Sequence, residues 1–193
     1  MAPLTAIGLV VALASSAVAG GNPDARVFVD FEPGEYVHQC TPEPYEVVEA
    51  YVCIDRLDEG FTSVSLRMEN LVEQYPEVFG AATWTHLLPC SDPPTESPWD
   101  EYGVFALSDQ CNQSDPAIIG SVSFLYLGGS ACIKLLDHGL CPYWVVDCSN
   151  ERELDHYCVL AHGSVGGSVC PDGDCGGTPV AERSWGTIKG LFR

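Results

Sequence analysis

Three short stretches contain residue types capable of chemistry, and each can be tested against what that chemistry needs. His162-Gly163-Ser164 offers a base and a hydroxyl. Nucleophilic catalysis needs a nucleophile, a base and an orienting group that converge. Side chains two apart on a strand point the same way, so a strand end explains the pair equally well. A secreted hydrolase using His162 and Ser164 is therefore the alternative reading. Gly128-Gly129-Ser130 lacks the closing glycine of a nucleophile elbow, because Cys132 stands there. In the second stretch, Asp172-Gly173-Asp174 lies between Cys170 and Cys175 and resembles the opening of a calcium loop without its closing glutamate. Calcium, on Asp172 and Asp174, is the one ion and the one cofactor the sequence admits, and it would make the chain a calcium-stabilised structural module. The five histidines (His38, His86, His138, His156, His162) show no zinc-ligand spacing. The third stretch is the acidic, proline-rich segment from Cys90 to Glu101, which reads as an exposed loop. Beside it Trp99, Asp100 and Tyr102 are the candidate ligand-binding residues, since an aromatic platform holds a sugar through its C–H face. Trp84 in TWTHLL and Trp144 in YWVVDC read as core, which leaves Trp99 as the exposed tryptophan.

The elements that must position these residues are strands. Val64, Leu66 and Met68 alternate with Ser63, Ser65 and Arg67, and Val48, Ala50, Val52 and Ile54 alternate with Glu49, Tyr51 and Cys53. Period two over such lengths is the mark of a half-buried strand. Similar runs begin near Val27, Gly103, Ile118, Cys132, Tyr143, Tyr157 and Ser164, giving about nine strands parted by Gly, Pro, Asn, Asp and Ser. The predicted fold is all-β, an antiparallel sandwich or jelly roll. Asn70 to Phe79 is predicted to hold a short helical turn stopped by Pro76.

Residues 1–19 read as a signal peptide: an uncharged start, an apolar run from Leu4 to Ala14, and Ala17-Val18-Ala19 before the cut. The alternative is an uncleaved N-terminal anchor. Removing the peptide leaves 174 residues, the size of one domain with a sizeable core. The ten cysteines Cys40, Cys53, Cys90, Cys111, Cys132, Cys141, Cys148, Cys158, Cys170 and Cys175 follow the signal and read as up to five disulfides, in an extracellular, cell-surface or periplasmic setting. Their pairing is open, at on the order of a thousand combinations. The net charge is −19, and the body before Arg183 carries 27 acidic against five basic side chains. Such a body repels phosphate backbones, which argues against nucleic acid as a partner. A β-sandwich domain is predicted over 26–169 and a Gly-rich linker over 170–183. The amphipathic peptide 184–193 follows, in which Trp185, Ile188 and Phe192 suit a short C-terminal helix.

The segments ARVFVDF, EPYEVVEAYVCID, FTSVSLRMEN, SVSFLYLGGSACIKLL and CPYWVVDCS resemble a group of uncharacterised secreted bacterial β proteins whose look is similar to cohesin-like sandwiches. The ending SWGTIKGLFR looks like the Trp-Gly-x-Ile-Lys tails on some of them. The resemblance implies a fold, an address outside the cytoplasm and no activity. Cohesins bind a dockerin through one sheet face; no residue here carries that interaction over, and the dense cysteines depart from the cohesin pattern. The expectation is a non-catalytic interaction module for a protein or glycan partner, whose basic C-terminal peptide either docks on its own acidic domain or is read by a sorting or anchoring partner.

Overall fold

The computed structural model describes residues 21–140, 143–149 and 154–175. The expected signal peptide, the C-terminal peptide 184–193, Cys141 and most of the linker lie outside the described residues. Within them the chain forms β1 (Arg26–Asp30), β2 (Gln39–Cys40), β3 (Val47–Asp55), β4 (Phe61–Met68), α1 (Leu71–Gln74), β5 (Phe79–His86), β6 (Val104–Asn112) and β7 (Ala117–Tyr126). There follow β8 (Ala131–Ile133), β9 (Leu135–Leu136), β10 (Trp144–Asp147), β11 (Leu154–His156), β12 (Cys158–Ala161) and β13 (Gly163–Val165). No helix among the described residues is long and apolar enough to cross a membrane.

A five-stranded sheet, β12-β1-β3-β7-β5, packs against a four-stranded one, β11-β10-β4-β6, with β9 pairing onto β4. A small third sheet, β2-β13-β8, adjoins them. Pairing is antiparallel except between β1 and β12 and between β2 and β13. The all-β sandwich expectation therefore holds, with more strands than the expected nine. Several of the additional strands are only two or three residues long, too short to leave a hydrophobic rhythm. One longer strand, β5, was hidden because its sequence FGAATWTH alternates small residues rather than large apolar and charged ones.

Alternation decides the core. Val64, Leu66 and Met68 of β4 face Val27, Val29, Val52, Ile54, Val122 and Phe124 of the first sheet, all within one buried cluster. Phe79 meets Phe124 edge to face, with ring centres 4.9 Å apart. Each such side chain contributes about 1.5–3 kcal/mol by leaving water. The predicted helical turn is α1, where the Asn70 side chain accepts the Glu73 amide at 3.2 Å. That bond satisfies one of the otherwise unpaired first-turn donors.

Three disulfides join Cys111 to Cys148, Cys132 to Cys170 and Cys158 to Cys175. The first links β6 to the end of β10; the other two fasten the chain after β13 back onto β8 and β12. Residues 170–175, expected as the start of a linker, thus lie against the domain, and the Asp174 carboxylate accepts the Val159 amide at 2.5 Å. The expectation that all ten cysteines are bridged needs correction, because Cys40, Cys53 and Cys90 are free thiols. Cys53 points away from the inter-sheet core but is fully covered, and burial, with Asp30 and Asp55 adding to it, raises its thiol to about 12. A thiol held so far from ionisation neither attacks disulfides nor oxidises readily.

Candidate interaction face

Each sheet of a sandwich has one face in the core and one outside, and the two outer faces of this molecule differ in chemistry. On the second sheet Val145 of β10 and Val104 and Ala106 of β6 point inward, so Trp144, Val146, Phe105 and Leu107 point out. Strand register lines them up. Leu154 pairs with Val146, Val146 with Ser63, and Ser63 with Leu107, which makes one row across four strands. His156 pairs with Trp144, and Ser65 with Phe105, in the neighbouring row. Phe105 and Leu107 are 38% and 41% exposed. Trp144 is half-buried and stacks edge-on against His156, with ring centres 6.5 Å apart.

The face is held rigidly. The Trp144 amide donates to Ser65 Oγ at 2.8 Å, and the Ser65 hydroxyl in turn donates to the Trp144 carbonyl at 3.3 Å. At one end the Cys111–Cys148 bridge joins the two strands that flank β4, with Cys111 Sγ beside Gly60. At the other end His138 lies under Phe105, with ring centres 4.5 Å apart. Burial, aided by the nearby Arg67 charge, lowers the His138 pKa, so at neutral pH the ring is uncharged and adds to the apolar surface. Gly103 lets β6 start close beneath this corner: it has φ +79°, and a Cβ there would lie 2.3 Å from the Leu66 carbonyl oxygen. Exposed Tyr102 and Leu140 extend the apolar surface, and the exposed acids Glu101 and Asp109, at either end of β6, border it.

The outer face of the first sheet is built otherwise. Val47, Glu49 and Tyr51 of β3 lie across from Leu125, Ser123 and Ser121 of β7, which face Ala81, Thr83 and Thr85 of β5. The Glu49 carboxylate accepts from Ser121 Oγ and from the Tyr51 hydroxyl, each at 2.8 Å. Tyr51 has a raised pKa because ionising it would break that hydrogen bond beside a negative charge. Next to it an open depression of about 460 Å³ is lined by Glu32, Glu46 and Glu49 beside Cys40. Burial and Glu46 raise Cys40 to about 11, so it stays a neutral thiol.

The residues singled out from the sequence do not gather into one site. Trp99 is partly buried and packs against the hydrophobic core, which corrects its reading as the exposed tryptophan. The Pro98 carbonyl accepts the Met68 amide at 2.7 Å, and that bond draws Trp99 onto the sandwich. Asp100 is exposed and its carboxylate accepts the Ser97 amide at 2.7 Å; Tyr102 is half exposed. Trp144, read as core, is on the outer face, while Trp84 does pack inward as read. The signal was present in the alternation: with Val145 buried, both its neighbours must face out.

Ser164 is buried and its hydroxyl donates to the Ser168 carbonyl at 2.7 Å. His162 Nδ1 accepts the Leu135 amide at 3.1 Å, and burial lowers the ring's pKa. Neither takes the other as a partner, so no base is set against this hydroxyl. Among the described residues, the His, Cys, Asp and Glu atoms close enough to share an ion are those of Cys158, Asp174 and Cys175, two of them joined in a disulfide. Asp172 is exposed and outside that group.

No family model matches the chain, and no curated protein does. Among solved structures the chain is similar to the seventh ScaB type I cohesin from Pseudobacteroides cellulosolvens, with 10% identity, 77% of this chain and 95% of that one covered, and a TM-score of 0.46. It is similar to CaCohA2 from Clostridium acetobutylicum at 11% identity, 75% and 90% coverage and a TM-score of 0.44. A type I cohesin–dockerin complex from Clostridium thermocellum gives 14% identity, 74% and 97% coverage and 0.43. At these values the likeness is one of outline, and no residue role is transferred.

Proposed function

We propose that the chain is an exported, non-catalytic interaction module that binds a protein partner on the outer face of its second sheet. The observation that carries this is the row Leu154–Val146–Ser63–Leu107 beside Trp144 and Phe105, an apolar surface on rigid strands with acids at its border. Contiguous exposed apolar surface rimmed by polar groups marks an interaction site. Aromatic residues at the centre and charge at the rim are the composition of protein interfaces. The fitting partner is a protein surface with an apolar centre and Lys or Arg around it. A glycan fits less well, since a sugar site needs several polar groups beside the aromatic ring and the Ser65 hydroxyl paired across from Phe105 is engaged with the Trp144 backbone. Export to the extracellular space, cell surface or periplasm follows from residues 1–19 and is supported by the three disulfides. In this reading the basic peptide 184–193 serves a sorting or anchoring partner.

The test is to place a photoactivatable amino acid at Val146, and separately at Thr83 on the other face, in the full chain within its producing cell. A discrete protein adduct from position 146 alone is expected. Equal adducts from both positions, or none from 146, would overturn the assignment. Glycan-array binding that disappears in Trp144→Ala would replace the protein partner with a sugar.

A further inference from the structure

Strand β6 is an edge of the second sheet, paired with β4 on one side only. In an antiparallel pair, residues opposite one another alternate between exchanging both backbone bonds and exchanging none. The Leu66 carbonyl oxygen lies against Gly103, beside its register partner Val104, so Leu66–Val104 and Val64–Ala106 are the bonded pairs. Ser65–Phe105 and Ser63–Leu107 are then the other kind, and two bonds agree with this. The Ser65 carbonyl accepts the Tyr157 hydroxyl at 2.7 Å, and the Leu107 carbonyl accepts His86 Nε2 at 3.0 Å. The amides and carbonyls of Phe105 and Leu107 therefore point away from β4. Of these four groups the Leu107 carbonyl has His86. The Phe105 amide, the Phe105 carbonyl and the Leu107 amide have no backbone partner among the described residues.

The connection from β5 to β6 is tied to both ends of this edge without pairing along it. The Ser91 amide donates to Asp109 Oδ2 at 2.6 Å, and the Pro98 carbonyl accepts the Met68 amide at 2.7 Å. Between these ties Pro93 and Pro94 have no amide to offer, and no backbone bond runs from residues 92–96 to β6. Unpaired groups on a strand edge are a template for another strand. Here they sit on the strand that also carries exposed Phe105 and Leu107, so an added strand continues the apolar face sideways. Exposed Glu101 and Asp109 flank the stretch. A second copy of the chain would bring its own Glu101 and Asp109 to the same edge and set like charge against like. We propose that the β6 edge at Phe105 and Leu107 is a docking site for an extended segment of the protein partner, apolar on alternate residues and ending in Lys or Arg, which adds as a further strand to the second sheet. This rests on the reading of that sheet's outer face as the interaction surface.

The experiment follows amide hydrogen exchange by NMR in the ¹⁵N-labelled full chain, with and without an excess of the synthetic peptide Lys-Val-Thr-Val-Thr-Val-Lys, blocked at both ends. Amides on an open edge exchange freely until a strand covers them. Those of Phe105 and Leu107 are expected to slow by about tenfold or more near saturation. The same peptide N-methylated throughout its centre cannot pair and is expected to leave them unchanged. Leu107→Pro removes one outward amide and no bond to β4, and should weaken the peptide by about three- to tenfold relative to Leu107→Ala. Should that variant fail to fold, the N-methylated peptide makes the same comparison. Unmoved amides, equal slowing by the N-methylated peptide, or protection at another edge instead would overturn the proposal. So would slow exchange at 105 and 107 in the free chain that fades on dilution, which would make a second copy the occupant. Pairing along the edge does not need Val146. Protection of these two amides in a chain that gives no adduct from position 146 would therefore overturn the face and uphold the edge, and the reverse would overturn the edge alone.

Discussion

The two outer faces of this sandwich follow the same alternation, and yet hydroxyls prevail on one and apolar side chains on the other. On the first sheet the outward positions are Val47, Glu49, Tyr51, Ser121, Ser123, Leu125, Ala81, Thr83 and Thr85, where hydroxyls prevail, and the carboxylate is occupied by its own hydroxyl neighbours. On the second they are Trp144, Val146, Phe105, Leu107 and Leu154. Folding alone explains most of the first face, because hydroxyl and small side chains are content in water and the exposed Val47 sits singly at the start of its strand. It does not explain the second, where Phe105 and Leu107 are exposed and Trp144, Val146 and Leu154 only partly covered although one strand residue away identical chemistry is buried. The difference teaches that outward apolar positions, rather than the number of tryptophans, carry the functional signal.

The comparison can be broken most severely at its tryptophans. Trp84→Ala should cost about 3–5 kcal/mol, since the ring packs against the core. Trp144→Ala should cost under about 1 kcal/mol, as surface changes do. Chemical denaturation of both variants checks this, and equal losses would mean that Trp144 is a core residue after all. Replacing Cys111 and Cys148 by serine should cost about 2–4 kcal/mol, the range for loops of this size, a separation of 37 residues. Amide exchange should accelerate in β6 and β10 more than in β5 and β7 if the bridge stiffens the apolar face in particular.

Smaller effects probe the hydroxylic face. Glu49→Gln should bring Tyr51 down toward the ordinary tyrosine range, since the carboxylate that resists its ionisation is gone. Ultraviolet titration reads this directly, and an unmoved Tyr51 would show that the Glu49–Tyr51–Ser121 arrangement does not persist in solution. The smallest effect concerns calcium. With Asp174 committed to the Val159 amide, chelator should shift the melting temperature by less than about 1 °C. A larger drop would restore Asp172 and Asp174 as ligands.

Much of the fold was legible because period two is written plainly in β3 and β4, where Val48 to Ile54 and Val64 to Met68 alternate with polar residues. The helical turn was legible from Asn70 and Pro76 for the same local reasons. The face was not. In YWVVD nearly every residue is apolar, so alternation cannot be seen until Val145 is known to be buried. Trp99 was misplaced for the opposite reason, as its polar neighbours Asp100 and Glu101 conceal a backbone bond from Pro98 to Met68 that draws the ring inward. Disulfide pairing depends on which ends the sheets bring together, which local pattern does not encode; it was the sheet order that brought Cys111 to Cys148.

The most direct measurement is equilibrium binding of the protein cross-linked at position 146, taken to Val146→Asp and to Thr83→Asp side by side. The account expects Val146→Asp to weaken binding by about a hundredfold or more, the size of a central contact, with Thr83→Asp within about threefold of the unsubstituted chain and both variants folded. Equal weakening by the two, or loss only with Thr83→Asp, would contradict it.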